Sequence, residues 1–407
     1  MKKPELLAPA GNIEKLKIAC KYGADAVYLA GKKYGLRAGA DNFTIDEMEE
    51  GIEFAHKLGK KVYVAVNIIP HDEDFEGLQE YTKELQKIGA DAVIVSDPGV
   101  LSLVKETAPK MRIHLSTQAN NVNVKSAMFW QKMGVNRVVL ARELSIKEIK
   151  SIIKNSSEAV EYECFVHGAM CISYSGRCLL SNYMINRDSN KGDCAQSCRW
   201  EYNLMEEKRP GEYFPVYEDE NGTYIFNSKD LCLIRHTLEL IESGLGSFKI
   251  EGRMKSNYYV ALVTSIYRQA IDSYFKNPAK YKFDEKLMDE LKKISHRQHS
   301  EGFLFSKPGA DSHIYEGSGY VKPYDYAGFI LDYNKKTKIA KIEQQNTISV
   351  GDEIEIIGPF RDYYTQIVKE MWDSKENIIE TANHPQEIVS LRVEKQVNPM
   401  DIIRKKV

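Results

Sequence analysis

The chain contains no apolar run long enough to cross a membrane. Its opening, MKKPELLAPAGNIEKL, carries two lysines, but Pro4 and Pro9 interrupt a short apolar stretch, so neither a signal peptide nor a membrane span is expected and the chain reads as cytoplasmic. An excess of charge is also missing. A formal net charge of −2 over 407 residues gives no overall pull toward nucleic acid, so any RNA contact has to use a local basic patch. The hydrolase signatures HExxH and GxSxG do not occur, which removes the usual sequence evidence for a zinc peptidase or a serine hydrolase. Cysteine is scarce, at seven residues, and an odd count without a secretory signal argues against a disulfide framework. With 43% hydrophobic and 28% charged residues, the remainder has the composition of a soluble globular chain able to bury a sizeable core.

One pattern recurs: GADAVYL (23–29), GADAVIV (89–95), GVNRVVL (134–140) and GLGSFKI (244–250). A glycine that can end a helix in the left-handed conformation precedes a short apolar run suited to a fully buried parallel strand. Adding the runs without the full signature gives eight strands, at 5–10, 26–30, 62–68, 92–96, 112–117, 137–141, 159–166 and 247–251, with helical patterns such as 13–23, 45–59 and 75–89 between them. Alternation of this kind, eight times, predicts an α/β (β/α)8 barrel of the TIM type over residues 1–300. The spacing breaks once, between strands seven and eight. Residues 228–244 read as the expected helix there, which leaves 167–227 as a cysteine-rich insertion at the C-terminal face, where barrel active sites lie. From 320 to 407, short runs such as YAGFILDY, TKIAKIE and DEIEIIG, separated by turn signals, predict a small antiparallel β-barrel.

Five cysteines compete for a metal: Cys171, Cys178, Cys194, Cys198 and Cys232, the last on the helix before strand eight; Cys20 and Cys164 are set aside. A structural zinc site would show two close pairs, and only Cys194 and Cys198 approach one. An iron–sulfur cluster is larger and can take ligands from separate segments. Three arginines at or just after strand ends, Arg37, Arg142 and Arg253, present the planar, always charged fork suited to anionic groups. Thr117, Gln118 and Asn120 after strand five, and Lys249 and Glu251 on strand eight, are polar neighbours. His167, directly after strand seven, is a candidate acid, base or donor to a cluster sulfur. Glu161 and Glu163 fall on one side of strand seven and require a partner such as Lys249. In the insertion, Arg177, Arg187, Lys191, Arg199 and Trp200 mix charge with an aromatic, as RNA-binding surfaces do.

The run ECFVHGAMCISYSGRCLLSNY (163–183) resembles the signature of the collagenase-like peptidase family, family thirty-two of the peptidases of unknown mechanism. LLAPAGN (6–12), VYLAG (27–31), LRAGA (36–40), STQANN (116–121), ARELS (141–145), NSKDL (227–231) and KIEGRMKS (249–256) extend the resemblance over essentially the whole chain. Within the family it is most similar to the bacterial tRNA hydroxylation branch. The resemblance implies an iron–sulfur RNA-modifying enzyme that makes 5-hydroxyuridine at the tRNA wobble position, with prephenate as co-substrate and a 4Fe-4S cluster. The family's ligand pattern falls on Cys171, Cys178, Cys194 and Cys232, with Cys198 as rival for the last place. It further implies tRNA as partner, possible work beside a homologous second subunit, and no membrane. A true peptidase, as the family name says, is the alternative; the chain offers it no Cys–His pair free of the cluster.

Overall fold

The computed structural model of the chain describes residues 1–407 apart from 38, 172, 201–216, 220–221, 225–227, 308–319 and 360–361, and describes 199, 217–219 and 222–224 by their backbone only. Its centre is a closed barrel of eight parallel strands. These are β1 (Glu5–Pro9), β2 (Ala26–Ala30), β3 (Lys61–Val66), β4 (Ala92–Val95), β5 (Arg112–Leu115), β6 (Arg137–Val139), β7 (Glu161–Gly168) and a closing strand, Ser247–Ile250, that pairs with both β7 and β1. All eight predicted strands are present. They are near-continuous apolar runs because helices cover the outside and side chains fill the inside: every residue of AVYLA in β2 is buried.

The repeated glycines behave as their pattern predicts. Gly23, Gly89, Gly134 and Gly244 adopt φ of +107°, +84°, +94° and +86°, a conformation that turns each helix into the next strand without a Cβ penalty. Helix starts are equally explicit in sequence. Thr44 with Glu47 and Ser145 with Glu148 form reciprocal capping boxes at helices Ile45–Lys57 and Ile146–Lys154.

Residues 228–244 do not form the predicted single helix. Asp230–Cys232 is a short strand antiparallel to β7, with Leu231 opposite Gly168 and Cys232 opposite His167; a 3-10 turn at Ile234–His236 and a helix at Thr237–Glu242 follow. The cause is an open edge. β6 pairs with β7 only over Glu161–Glu163, so the rest of β7 would leave backbone groups unpaired; the new strand takes them up, and the Leu233 amide donates to the Val166 carbonyl at 2.9 Å. Pairing demand overrides helical periodicity here.

The C-terminal part is a seven-stranded antiparallel sheet curved into a half-barrel, built on strands including Tyr324–Asn334, Ile339–Gln344, Glu353–Ile357 and Ile402–Lys406. It has its own core, with Ile330, Ile342, Ile354, Val389 and Ile403 fully buried. It docks on the outside of the barrel. The Tyr22 hydroxyl donates to the carbonyls of Ile357 and Met400 at 3.0 Å, and the fully buried Arg404 donates to the Tyr258 hydroxyl at 3.0 Å and to Glu290 at 2.7 Å. The C-terminal ends of the barrel strands are left free for a site.

Candidate functional site

Beyond β7 the chain turns back across the barrel mouth. Residues 169–200 are tied to the loops after four different strands. The Ile69 amide donates to the Asn190 carbonyl at 2.9 Å, and Lys191 Nζ lies 3.0 Å from both Glu73 and Asp74. The amide and hydroxyl of Ser175 donate to Glu143, each at 2.6 Å, and Arg177 Nε donates to the Gln118 carbonyl at 2.7 Å. At Gly192, with φ of +99°, an ideal β-carbon would lie 3.0 Å from the Gly35 oxygen and 3.3 Å from the Arg37 nitrogen, so only glycine permits this approach. The insertion therefore encloses a cavity of about 370 Å³ at the face where barrel enzymes carry their sites.

Among the described residues six cations line that cavity, Arg37, Arg142, Arg187, Lys249, Arg253 and Lys255, against two carboxylates, Asp193 and Glu251. Arg187 is bonded to Asp193 at 2.6 Å, and Arg37 lies 3.8 Å from Glu251. Burial disfavours the Arg37 charge, but Glu251 and then Cys194 and Cys171 outweigh it and hold the guanidinium above its ordinary pKa. Arg253 is buried, its charge opposed by desolvation and by neighbouring Arg37, which pushes it down to about 10; its one described side-chain contact is Asn42 at 3.5 Å. Lys249 Nζ sits 4.4 Å from the Tyr28 ring centre and 5.3 Å from that of Phe165. Lys249 and Arg253 are buried, and a pocket whose described cations outnumber its carboxylates has the charge to attract an anion.

Cys171, Cys178, Cys194 and Cys198 all line this cavity, whereas Cys232 does not. All seven cysteines are described, and none is in a disulfide. Backbone amides two residues on donate to two of the thiols: Leu180 N to Cys178 Sγ and Gln196 N to Cys194 Sγ, both at 3.4 Å. Such donors stabilise sulfur that carries negative charge, as metal-bound sulfur does. Among the described residues no three of these groups converge on a point as a single ion requires, where tetrahedral thiolates stand about 3.8 Å apart. Ligands of a cluster stand farther apart because the cluster lies between them. Four thiols on one cavity are a donor set of the kind an iron–sulfur cluster takes. Cys232, on a strand rather than the predicted helix, is buried behind β7, where desolvation pushes its thiol up to about 11.

His167 belongs elsewhere than predicted. The closing strand pairs Lys249 with Phe165 and Ile250 with His167, so β7 carries one extra residue and the alternation reverses. Phe165 points into the cavity; His167 points outward, 5.6 Å from the Tyr267 ring, 5.9 Å from that of Tyr259 and 5.8 Å from that of His299. Burial, reinforced by His299, pulls His167 down to about 3. The unfolded chain takes up a proton near pH 6.5 that the folded chain refuses until about 3. Stability is thus full above 6.5 and lost as pH falls, by ~1.4 kcal/mol per unit for this group. His167→Phe is expected to flatten that acid limb, read as a smaller drop in urea midpoint between pH 6.5 and 4.5. An unchanged slope would contradict this placement.

Glu163 lies beneath the cavity rather than in its wall. Its carboxylate is 3.0 Å from Lys249 Nζ and 3.1 Å from Arg137, whose guanidinium also holds Glu5 at 2.6 Å and Glu161 at 2.9 Å. The expected Lys249 partnership is present, and the carboxylate is engaged structurally. Glu251, Thr117 and Gln118 line the cavity; Asn120 does not, and its φ of +54° places it in a left-handed turn. Lys255, Tyr28 and Asn67 line it without having been singled out, although Lys255 and Tyr28 lie within the motifs KIEGRMKS and VYLAG. Of the basic and aromatic residues singled out in the insertion, Arg187 and Lys191 are paired with carboxylates, the Arg199 side chain is outside the described residues, and Trp200 is exposed.

No helix among the described residues is long and apolar enough to cross a membrane. The chain matches the sequence profile of Peptidase family U32 over residues 11–314 and that of the Peptidase family U32 C-terminal domain over 322–404. It is 43% identical to tRNA hydroxylation protein P1 of Bacillus subtilis, over 99% of this chain and 95% of that one. It is 42% identical to tRNA hydroxylation protein P of Escherichia coli, over 88% and 87%, and 40% identical to an uncharacterized protease of Methanocaldococcus jannaschii, over 90% of each chain. With both profiles matched and similarity running nearly end to end, the chain belongs to Peptidase family U32 and carries that family's C-terminal domain.

Proposed function

We propose that this protein is a tRNA-modifying enzyme of the hydroxylation type. It forms 5-hydroxyuridine at the wobble uridine with prephenate as co-substrate, and Cys171, Cys178, Cys194 and Cys198 hold a 4Fe-4S cluster. The observation that carries this reading is the convergence of four thiols and a set of cations, with Lys249 and Arg253 buried among them, on one cavity, in a chain similar along its length to tRNA hydroxylation proteins. The resemblance implies Cys232 as the fourth ligand; we propose Cys198 in its place because it shares the cavity with the other three thiols. Such a cluster supplies one-electron transfer at the cavity wall.

The chain's own residues do the binding. Prephenate is a dicarboxylate, and Arg253, Lys249 and Lys255 offer cationic donors on the side of the cavity formed by the closing strand and the loop after it. Arg37, held by Glu251, orients the neighbouring wall. A cavity of about 370 Å³ admits small groups and no base-paired stem, so the RNA has to present an unstacked nucleotide, as single-stranded anticodon loops can. For a peptidase, a Cys–His pair or a bound water would be needed at the same place, and among the described residues no histidine lines the cavity.

Mass spectrometry of tRNA nucleosides from a strain lacking this protein tests the reading. 5-Hydroxyuridine and its derivatives are expected to disappear and to return on complementation. Unchanged levels in a strain with no second copy would overturn it.

A further inference from the structure

The side of the cavity formed after β5 and β6 carries two buried polar atoms with no hydrogen-bond partner among the described residues, Gln118 Oε1 and Arg142 Nε. Gln118 is held through its backbone and Arg142 through its side chain. Gln118 is 8% exposed and its backbone carbonyl is anchored by Arg177. Arg142 donates through Nη1 to the Ala169 carbonyl at 3.0 Å, and its guanidinium sits 5.2 Å from the Phe165 ring centre. The two meet at Gly176, where an ideal β-carbon would lie 2.9 Å from Gln118 Nε2 and 4.0 Å from Arg142 Nη2. A buried acceptor left unsatisfied costs stability, and an orphan pair on two side chains that line a cavity points to a ligand that completes it.

The chemistry of that ligand follows from the pair. A carboxylate offers acceptors only, so it could satisfy Arg142 but never the Gln118 oxygen. Whichever way the amide is turned, it presents one acceptor and one donor side by side, with a guanidinium adjacent. A group with an N–H flanked by carbonyls is the complement, and the imide edge of uracil is such a group.

We infer that Gln118 and Arg142 read the edge of the target uridine, Gln118 accepting its N3–H and Arg142 donating to a ring carbonyl. The assignment rests on the tRNA reading above and divides the cavity: the acid on the side of the closing strand, the base on the side of β5 and β6. Gln118 is then a specificity-determining residue.

The test measures binding of anticodon stem–loop RNA to the full-length protein by fluorescence anisotropy, with uridine or 3-methyluridine at the wobble position. Methylation at N3 is expected to weaken binding to the wild type about 10-fold or more. Gln118→Leu is expected to weaken binding of the unmodified RNA by a similar factor, and the variant should no longer distinguish the two RNAs. Wild-type protein that binds both equally overturns the assignment alone and leaves the tRNA reading standing, and this comparison needs no variant to fold. Multiplying effects of variant and methyl group also overturn it. Wild-type protein that binds neither RNA overturns the tRNA reading, and the assignment with it.

Discussion

Serine in place of Cys178 or Cys194 is expected to reduce iron and sulfide in anaerobically purified protein to background. In cells that carry the variant as their only copy, 5-hydroxyuridine in tRNA should fall by at least about 100-fold, beyond the effect typical of losing a ligand's hydrogen-bond partner. The fold around Cys178 should survive, because its backbone is held independently of the thiol: its amide donates to Asn190 Oδ1 at 3.2 Å, and its carbonyl accepts from the Ser189 hydroxyl and from Asn190 Nδ2. The same measurement separates the two remaining candidates. Cys198→Ser should lose the iron, since Cys198 shares the cavity, and Cys232→Ser should keep it, since Cys232 is buried behind β7. Iron lost from the second variant and kept by the first would reverse the ligand assignment. One zinc and no sulfide in the wild type would remove the cluster altogether.

The largest effect on stability is expected from Arg137→Met. This buried guanidinium bonds Glu5, Glu161 and Glu163 together, and its removal leaves carboxylates facing a low-dielectric interior with Lys249 as the nearest compensating charge on Glu163. Losing one partner of a buried network costs about 3–5 kcal/mol, read as a fall in the urea midpoint. A loss below about 1 kcal/mol would show that the network contributes little. The pH dependence supplies a second reading. Burial alone would raise the Glu163 carboxyl, but Lys249 and Arg137 hold it below the ordinary value of 4.5. Its stabilisation is present above 4.5 and lost as pH falls through the lower folded value. Without Arg137 the folded value rises, so the variant should unfold at a higher pH than the wild type in an acid titration. Glu163→Gln combined with Arg137→Met should cost less than the sum of the single changes, because the two groups are in contact.

The barrel and its repeats were legible because each unit carries local chemistry: glycines at 23, 89, 134 and 244 end helices, and short apolar runs follow. That Arg37, Arg142 and Arg253 lie on one face was also legible, since strand ends in a barrel all open on one face and position along the chain reports position on that face. His167 was expected just beyond strand seven, but β7 runs on to Gly168, and a single extra residue opposite Lys249 and Ile250 turns the ring outward. Nothing in EYECFVHG marks that bulge. Cys232 was placed on a helix for a similar reason: the unpaired edge of β7 that draws Asp230–Cys232 into a strand exists only once the barrel has closed.

By itself the sequence determined the number of strands, the place of the insertion, the family and the cysteines worth testing, because these depend on residue type and local spacing. Only the tertiary structure decided which thiols share a cavity, which cations face it with few carboxylates, and that Gln118 and Arg142 stand together with unsatisfied atoms. Those facts depend on how far the segment after β7 folds back over loops distant in sequence, and long-range packing of that kind leaves no periodicity to read.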